Sequence, residues 1–212
     1  MSVSANKVDT PPVGRSAIGP VEKSLDSFGW KQWMMRTVLR AALFMYLCIM
    51  GVLRRCGRRP RSFEADYRWT VALTGTFFSE NWITAHLRPI AEAEHVASVY
   101  LVTTFELPKM DKVVIIYPPQ WLVRMIGPVT ARMLTFIGLT IRRRPDVIGG
   151  FHLLLNGLLA MFLARLVGSR SLYFSVGGPT ELVGGGYAGE NRLFNKIGAP
   201  DPIIESRLLK AV

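Results

Sequence analysis

Five short apolar segments alternate with longer helical patterns between residues 68 and 175, and this alternation constrains the fold more than any other feature. Each segment is rich in β-branched or aromatic residues and is bounded by turn residues, which is typical of a buried strand. Helices are predicted at 80–93, from 127 to about 142, and at 153–166. Helices between successive strands indicate a parallel sheet that is covered on both faces. The sequence therefore predicts an α/β, Rossmann-like domain with strands at 68–73, 97–102, 112–117, 146–151 and 171–175.

Two further regions precede this domain, which we place at 62–212. Residues 1–28 are rich in Ser, Pro, Gly and charge and have no sustained apolar period, so they predict a disordered tail. Residues 29–61 combine an apolar stretch with eight basic side chains and no acidic one. Basic groups that border an apolar helix favour anionic lipid headgroups over water. We therefore expect 29–61 to form a membrane-associated helix.

The apolar stretch of this helix is short for a membrane crossing. Thirteen uncharged residues separate Arg40 from Arg54, whereas a bilayer needs roughly 20. An interfacial or re-entrant helix is favoured, although 38–53 would span a thin membrane if Arg40 snorkels. An amphipathic helix packed on the domain is the alternative. The predicted membrane-binding residues are Trp30, Trp33, Arg36, Arg40, Arg54, Arg55, Arg58 and Arg59.

The basic side chains that follow the apolar stretch also predict the side of the membrane. Lys and Arg next to a membrane helix favour the cytoplasmic face. We expect a monotopic or single-pass protein with its domain on that face. The apolar segment 121–127 (WLVRMIG) predicts either a second lipid contact or ordinary core packing.

The formal charge of +11 indicates an anionic partner. Nucleic acid is disfavoured, because aromatic residues are sparse among the basic runs and no binding module is recognisable. Two cysteines cannot form a disulfide framework, and the three histidines show no metal-ligand spacing. No GxGxxG follows the first strand and no GxxxxGK[ST] occurs, which disfavours a dinucleotide or P-loop site. We predict no metal and no cofactor.

The glycine-rich stretch 175–187 (SVGGPTELVGGGY) follows the fifth predicted strand. Ligands of open parallel sheets bind beyond the carboxyl ends of the strands, where glycine lets backbone amides approach oxygen atoms. The segments that leave strands one, four and five should therefore meet at one ligand-binding edge. A turn without a ligand is the alternative for the glycines. The residues predicted at this edge are Gly75, Thr76, His152, Gly177, Gly178, Thr180 and Glu181.

Four segments in this order resemble the amino-terminal half of a GT-B glycosyltransferase of family four. They are 69–75 (WTVALTG), 144–148 (RPDVI), 177–181 (GGPTE) with three glycines at 184–186, and 204–209 (IESRLL). The resemblance covers about residues 68–212. It implies an acceptor-binding domain, with a nucleotide sugar bound by a second, carboxy-terminal domain and no obligatory catalytic metal.

The resemblance also implies roles for single residues. The acceptor-side base of this family is often a histidine or an acid near a strand end, which makes His152 the first candidate and Glu181 the second. Gly75, Thr76, Gly177, Gly178 and Thr180 would contact a lipid-linked or envelope glycan acceptor. No donor domain or Glu-x7-Glu signature is present in the sequence. We expect a separate chain to supply the donor half; a truncated remnant or a non-catalytic membrane adaptor is the alternative.

Overall fold

A computed structural model of the chain describes residues 29–58, 66–75, 79–176, 178–184, 197 and 200–212. The predicted tail at 1–28 lies outside these ranges, as do the predicted site residues Arg59, Thr76 and Gly177. The backbone of Thr180 is described, but its side chain is not.

The centre of the fold is a sheet of five strands in the order β3-β2-β1-β4-β5, in which every neighbouring pair is parallel. The predicted α/β, Rossmann-like fold is confirmed, and the predicted strand limits agree with the observed ones within one residue at each end. The strands are β1 (Trp69–Thr74), β2 (Val96–Val102), β3 (Val113–Ile116), β4 (Val147–Phe151) and β5 (Arg170–Phe174).

Helices cover both faces of this sheet. On one face, Leu73 of β1 packs with Leu87 of the helix that follows it. On the other face, Ala72 packs with Phe136 and Leu163 from two later helices. The opposite directions of Leu73 and Ala72 follow from the two-residue period of a strand. The helices are α1 (Trp30–Cys56), α2 (Glu80–Glu92), α3 (Gln120–Ile126), α4 (Pro128–Arg143), α5 (Leu158–Val167) and α6 (Pro202–Ala211).

The helix predicted at 153–166 begins differently in the structure. An irregular turn occupies Leu153–Gly157, where the Gly157 N–H donates to the His152 carbonyl at 2.9 Å. Regular α5 begins only at Leu158. The apolar spacing of this segment fits a helix throughout, so hydrophobic periodicity alone could not reveal the turn. Helix α3 was likewise not predicted as an element, although its residues were identified as an apolar cluster.

The amino ends of β1 and β4 are joined by the carboxylate of Asp146. Its Oδ2 accepts hydrogen bonds from the N–H and the hydroxyl of Thr70, each at 2.8 Å, and its Oδ1 accepts from the Tyr67 hydroxyl at 3.1 Å. Asp146 is buried, so these donors replace the water that a carboxylate would otherwise need. Asp146 therefore has a structural role at the end of the sheet opposite to the candidate site.

Helix α1 packs on the domain through one side. Leu39 and Leu43 are buried in a cluster with Leu153, Ile204 and Leu208, which come from the irregular turn and α6. On this side, α1 is the amphipathic helix packed on the domain that the sequence analysis gave as the alternative. The helix is also long and apolar enough to cross a membrane, by length and composition.

Candidate functional site

The sheet order creates a crevice between the carboxyl ends of β1 and β4. From β1 the chain continues to β2 on one side, and from β4 it continues to β5 on the other side. A reversal of this kind is where open parallel sheets bind ligands. His152 follows β4 directly, and Gly75 follows β1 directly. The structure therefore places both residues at the edge where the sequence predicted them.

Glu181 joins His152 at this edge. Oε1 of Glu181 lies 3.8 Å from Nδ1 of His152, and Oε2 accepts a hydrogen bond from the Tyr173 hydroxyl at the end of β5. Glu181 is 1% exposed, and the His152 side chain is 13% exposed. The two predicted catalytic residues thus lie next to each other. Sequence reasoning missed Tyr173, which was noted only as part of an apolar strand.

The backbone is strained beside this pair. His152 has φ 64°, and Leu155 has φ 69° and ψ −59°, conformations that cost a non-glycine residue free energy. The irregular turn folds tightly over its own strand: a Cβ atom at Gly150 would lie 2.5 Å from the carbonyl carbon and oxygen of Asn156. Strained residues of this kind cluster at functional sites.

Arg132 is the main polar residue of the edge that sequence reasoning missed. It is 3% exposed on α4, and its guanidinium donates to the Gly75 carbonyl and, at 2.9 Å, to Oδ1 of Asn156. The Asn156 amide in turn donates to the Phe151 carbonyl at 2.9 Å. Burial lowers the pKa of Arg132 to about 10, so the side chain remains positively charged at neutral pH.

The hydrogen bonds of Arg132 connect the end of β1 to the turn after β4, and so hold the two sides of the crevice together. One sequence signal could have identified it. Arg132, Phe136 and Thr140 recur every four residues and share the buried face of α4, and a cation at such a position needs a buried partner.

Aromatic rings surround the other side of His152. Trp82 lies nearly parallel to the His152 ring, with an interplanar angle of 4° and a centroid distance of 6.4 Å. The Trp82 ring also stacks on His86 at 4.1 Å. Ser79 caps α2 by accepting the Trp82 N–H. The start of α2 therefore limits the orientations that His152 can adopt.

Gly178 begins a short 3₁₀ turn that ends at Glu181. Its φ is 65°, and among the described residues other than its chain neighbours no atom lies within 4 Å of the position of an added Cβ. The Ser175 hydroxyl donates to its carbonyl at 2.9 Å. Gly178 therefore has a conformational reason to be glycine, and the described residues leave the space beside it open.

The residues predicted to bind the membrane have different surroundings. Trp30 and Trp33 are exposed, and Arg54, Arg55 and Arg58 are exposed near the end of α1. Arg36 and Arg40 instead bond within the protein: Arg36 donates to the Ile197 carbonyl at 2.9 Å, and Arg40 forms an ion pair with Asp201. The expectation that all seven of these described basic and aromatic positions share one lipid-facing role does not describe Arg36 and Arg40, because the domain occupies their guanidinium groups.

An apolar surface covers the side of α1 that is turned away from its buried cluster. At the margin of this surface, the Arg207 guanidinium of α6 lies 5.4 Å from the ring centroid of Phe44. The side chains of the surface recur every three or four residues when the exposed Ala41 between Val38 and Phe44 is included, as one face of a helix requires. Their exposed fractions lie between 43% and 67%. We call this set the outer face of α1: Trp30, Trp33, Met34, Val38, Phe44, Met45, Ile49 and Val52.

Within the described part of the chain, no three His, Cys, Asp or Glu side chains come together as a metal site. The side chains described at the edge offer an imidazole, a carboxylate, a phenol and a guanidinium. Comparisons with protein-family models, with curated proteins and with solved structures give no match to this chain.

Proposed function

We propose that this chain is the acceptor-binding half of a membrane-associated glycosyltransferase, which transfers a sugar from a nucleotide donor to a lipid-linked or envelope glycan acceptor. The observation that supports it most is the pairing of His152 with Glu181 at the carboxyl edge of the sheet, beside the ends of β4 and β5. Activation of an acceptor hydroxyl needs a base, and an imidazole next to a carboxylate is suited to that task.

In the proposed reaction, His152 removes the proton from an acceptor hydroxyl. The oxygen then bonds to the anomeric carbon of the donor sugar as the bond to the nucleotide phosphate breaks. Glu181 stabilises the imidazolium that forms, and Tyr173 holds the Glu181 carboxylate. The 3.8 Å separation of His152 and Glu181 exceeds hydrogen-bond distance, and distances of this kind shorten when a substrate binds.

The nucleotide sugar requires a second binding unit. The described residues contain one parallel sheet, and its carboxyl edge is assigned here to the acceptor. The sequence after β1 has none of the GxGxxG pattern that would hold a dinucleotide. We assign the donor site to a second binding unit that closes over this edge.

Helix α1 would attach the domain to the membrane surface. Its inner side packs on α5 and α6, while its outer face is apolar. Bulky apolar and tryptophan side chains on one side of a helix are typical of insertion into the interfacial region. At the end of α1, Arg58 and Arg144 line a cavity of about 270 Å³, where guanidinium groups would meet anionic headgroups. These contacts favour a helix that lies in the membrane surface. The basic residues Arg54, Arg55 and Arg58 that follow its apolar stretch favour the cytoplasmic face.

A transfer assay tests this proposal. The full chain is expressed with the product of the adjacent reading frame, and its membranes receive radiolabelled nucleotide sugars. We expect label in the lipid or glycan fraction, and His152→Ala should lower the rate by about 100-fold or more, the usual loss when a general base is removed. His95→Ala is the matched control, because His95 is exposed and distant in sequence from the edge. Equal rates for both variants would contradict the role of His152.

The absence of any transfer, with the chain folded and bound to membranes, would contradict the glycosyltransferase proposal and favour a membrane adaptor.

A further inference from the structure

An apolar groove lies between α1, α4 and the start of α5. Its volume is about 460 Å³, which is within the range of sites that hold small organic ligands. Three helical elements and the irregular turn contribute to its walls. We call it the lipid groove; the residues that matter here are Val38, Ala42, Tyr46, Leu154, Leu155 and Phe162.

The side chains that line this groove restrict the chemistry of its occupant. Tyr46 is the one described lining residue with a polar side chain, and its hydroxyl already donates to the Leu158 carbonyl at 3.0 Å. An extended peptide would bring an N–H and a C=O with every residue, and each group costs free energy when it is buried without a partner. A hydrocarbon chain has no such groups and therefore fits these walls better than a peptide.

The groove adjoins the candidate site through the irregular turn. Leu154 and Leu155 line the groove, and they follow His152 by two and three residues. The irregular turn is therefore shared by the groove and the candidate site, and a molecule with its apolar part in the groove would pass this turn to reach the carboxyl edge of the sheet. Leu155, which has the strained φ of 69°, is part of the same wall.

The groove is also continuous with the outer face of α1. Val38 belongs to both, because it lines the groove and is 62% exposed. If the outer face of α1 contacts the acyl region of a membrane, the groove opens beside lipid tails. A hydrocarbon chain would then enter it without crossing water.

We propose that the lipid groove holds one hydrocarbon chain, acyl or isoprenoid, of an amphiphile whose polar head lies beside His152. The inference that this amphiphile is the sugar acceptor rests on the proposed function. The binding of the hydrocarbon chain itself rests on the groove alone and is tested without sugar transfer.

Neighbouring alanines of α1 provide a matched pair for the test. Ala42 lines the groove, Ala41 does not, and both are exposed. Ala42→Trp should fill the groove, whereas Ala41→Trp enlarges the apolar surface of the same helix and leaves the groove open. Both substitutions are at exposed helix positions, where the fold tolerates them well.

The probe is palmitate with a diazirine near the end of its chain, incorporated into phosphatidylglycerol and phosphatidylcholine vesicles with the full-length chain. After irradiation, mass spectrometry locates the label. We expect labelled residues along the groove, with Phe162 and Leu158 among them. Ala42→Trp should lower labelling of the groove by about tenfold or more, a change of about 1.4 kcal/mol in binding, while Ala41→Trp leaves it unchanged. Vesicle sedimentation shows that both variants remain bound.

Equal labelling of the groove in both variants would contradict the inference, as would labels confined to the outer face of α1 or to α3. A helix or other protein segment in the groove would exclude the probe from the wild-type chain, which also contradicts it. The transfer assay separates the two proposals. Normal transfer by Ala42→Trp would support the glycosyltransferase proposal and show that the acceptor does not use this groove. Labelling of the groove in a chain that transfers no sugar would support lipid binding without the glycosyltransferase activity.

Discussion

Nη2 of Arg40 lies 2.7 Å from Oδ2 of Asp201, and this ion pair joins the middle of α1 to the start of α6. Oδ1 of the same carboxylate caps α6 by accepting the N–H groups of Ile203 and Ile204 at 3.0 and 3.2 Å. Arg207 reaches back from α6 to the Arg40 carbonyl. Asp201 therefore stabilises a helix end and a helix–helix contact with one side chain.

The first prediction follows from these two roles of Asp201. Asp201→Ala should lower the free energy of unfolding by about 2 to 3 kcal/mol, because it removes a helix cap and a charge-assisted hydrogen bond. Asp201→Asn keeps a side-chain oxygen for the cap and should lose less. Urea unfolding followed by circular dichroism measures both values. Equal losses for Ala and Asn would contradict the capping role.

The second prediction concerns pH. Burial raises the pKa of Asp201, but the hydrogen bonds from Arg40, Ile204 and Ile203, together with the Arg40 charge, outweigh burial and hold the pKa below its ordinary value of 3.8. In acid the unfolded chain then binds a proton at Asp201 before the folded chain does. This contribution to stability is present above pH 3.8 and is lost as the pH falls through the lower, folded value.

Unfolding of the wild type and of Asp201→Asn, measured between about pH 6 and pH 2, isolates this contribution. We expect the stability advantage of the wild type to shrink in acid. A constant difference across the whole range would show that Asp201 titrates equally in both states.

The sequence predicted the sheet because its strands are short, apolar and separated by helices, so local pattern and tertiary structure agree. It also predicted that His152 and Glu181 share an edge, since the carboxyl ends of parallel strands meet there. It could not predict the hydrogen-bond partners of Arg132 or of Arg40. Both contacts join residues that are far apart in the chain, at 57 residues for Arg132 and Gly75 and at 161 for Arg40 and Asp201. The composition of 29–61 therefore placed Arg40 among the predicted membrane-binding residues, because its partner Asp201 lies far away in the sequence.

The third prediction concerns the outer face of α1. Deletion of α1 would remove Leu39 and Leu43 from a buried cluster and so damage the domain, which makes point substitutions the better test. Met45→Ser with Val52→Ser should weaken vesicle binding by about tenfold or more, since about 1.5 to 3 kcal/mol of burial is lost for each side chain that inserts fully.

Val114→Ser is the matched control for this test. Val52 is 60% exposed on α1, and Val114 is 45% exposed on strand β3. Sedimentation with vesicles that contain phosphatidylglycerol measures binding of each variant. We expect the control to sediment as the wild type does. If the α1 variant also sediments fully, the outer face is not a membrane contact.

The last prediction separates two reasons for glycine at position 178. Its φ of 65° is unfavourable for most side chains, but an added Cβ would meet no atom of the described residues beyond its chain neighbours within 4 Å. Asn tolerates a left-handed conformation, whereas a β-branched residue does not. If bulk at this position blocks the acceptor, Gly178→Asn and Gly178→Val should both lower transfer by at least about tenfold, or about 1.4 kcal/mol in barrier. If conformation alone matters, Gly178→Val should lose stability and Gly178→Asn should retain transfer.

Thermal unfolding of each Gly178 variant, measured together with its transfer rate, distinguishes the two cases. We expect the first result, because Gly178 begins the turn that ends at Glu181; a stable Gly178→Asn protein with the wild-type rate would show that this glycine serves the turn and does not contact the acceptor.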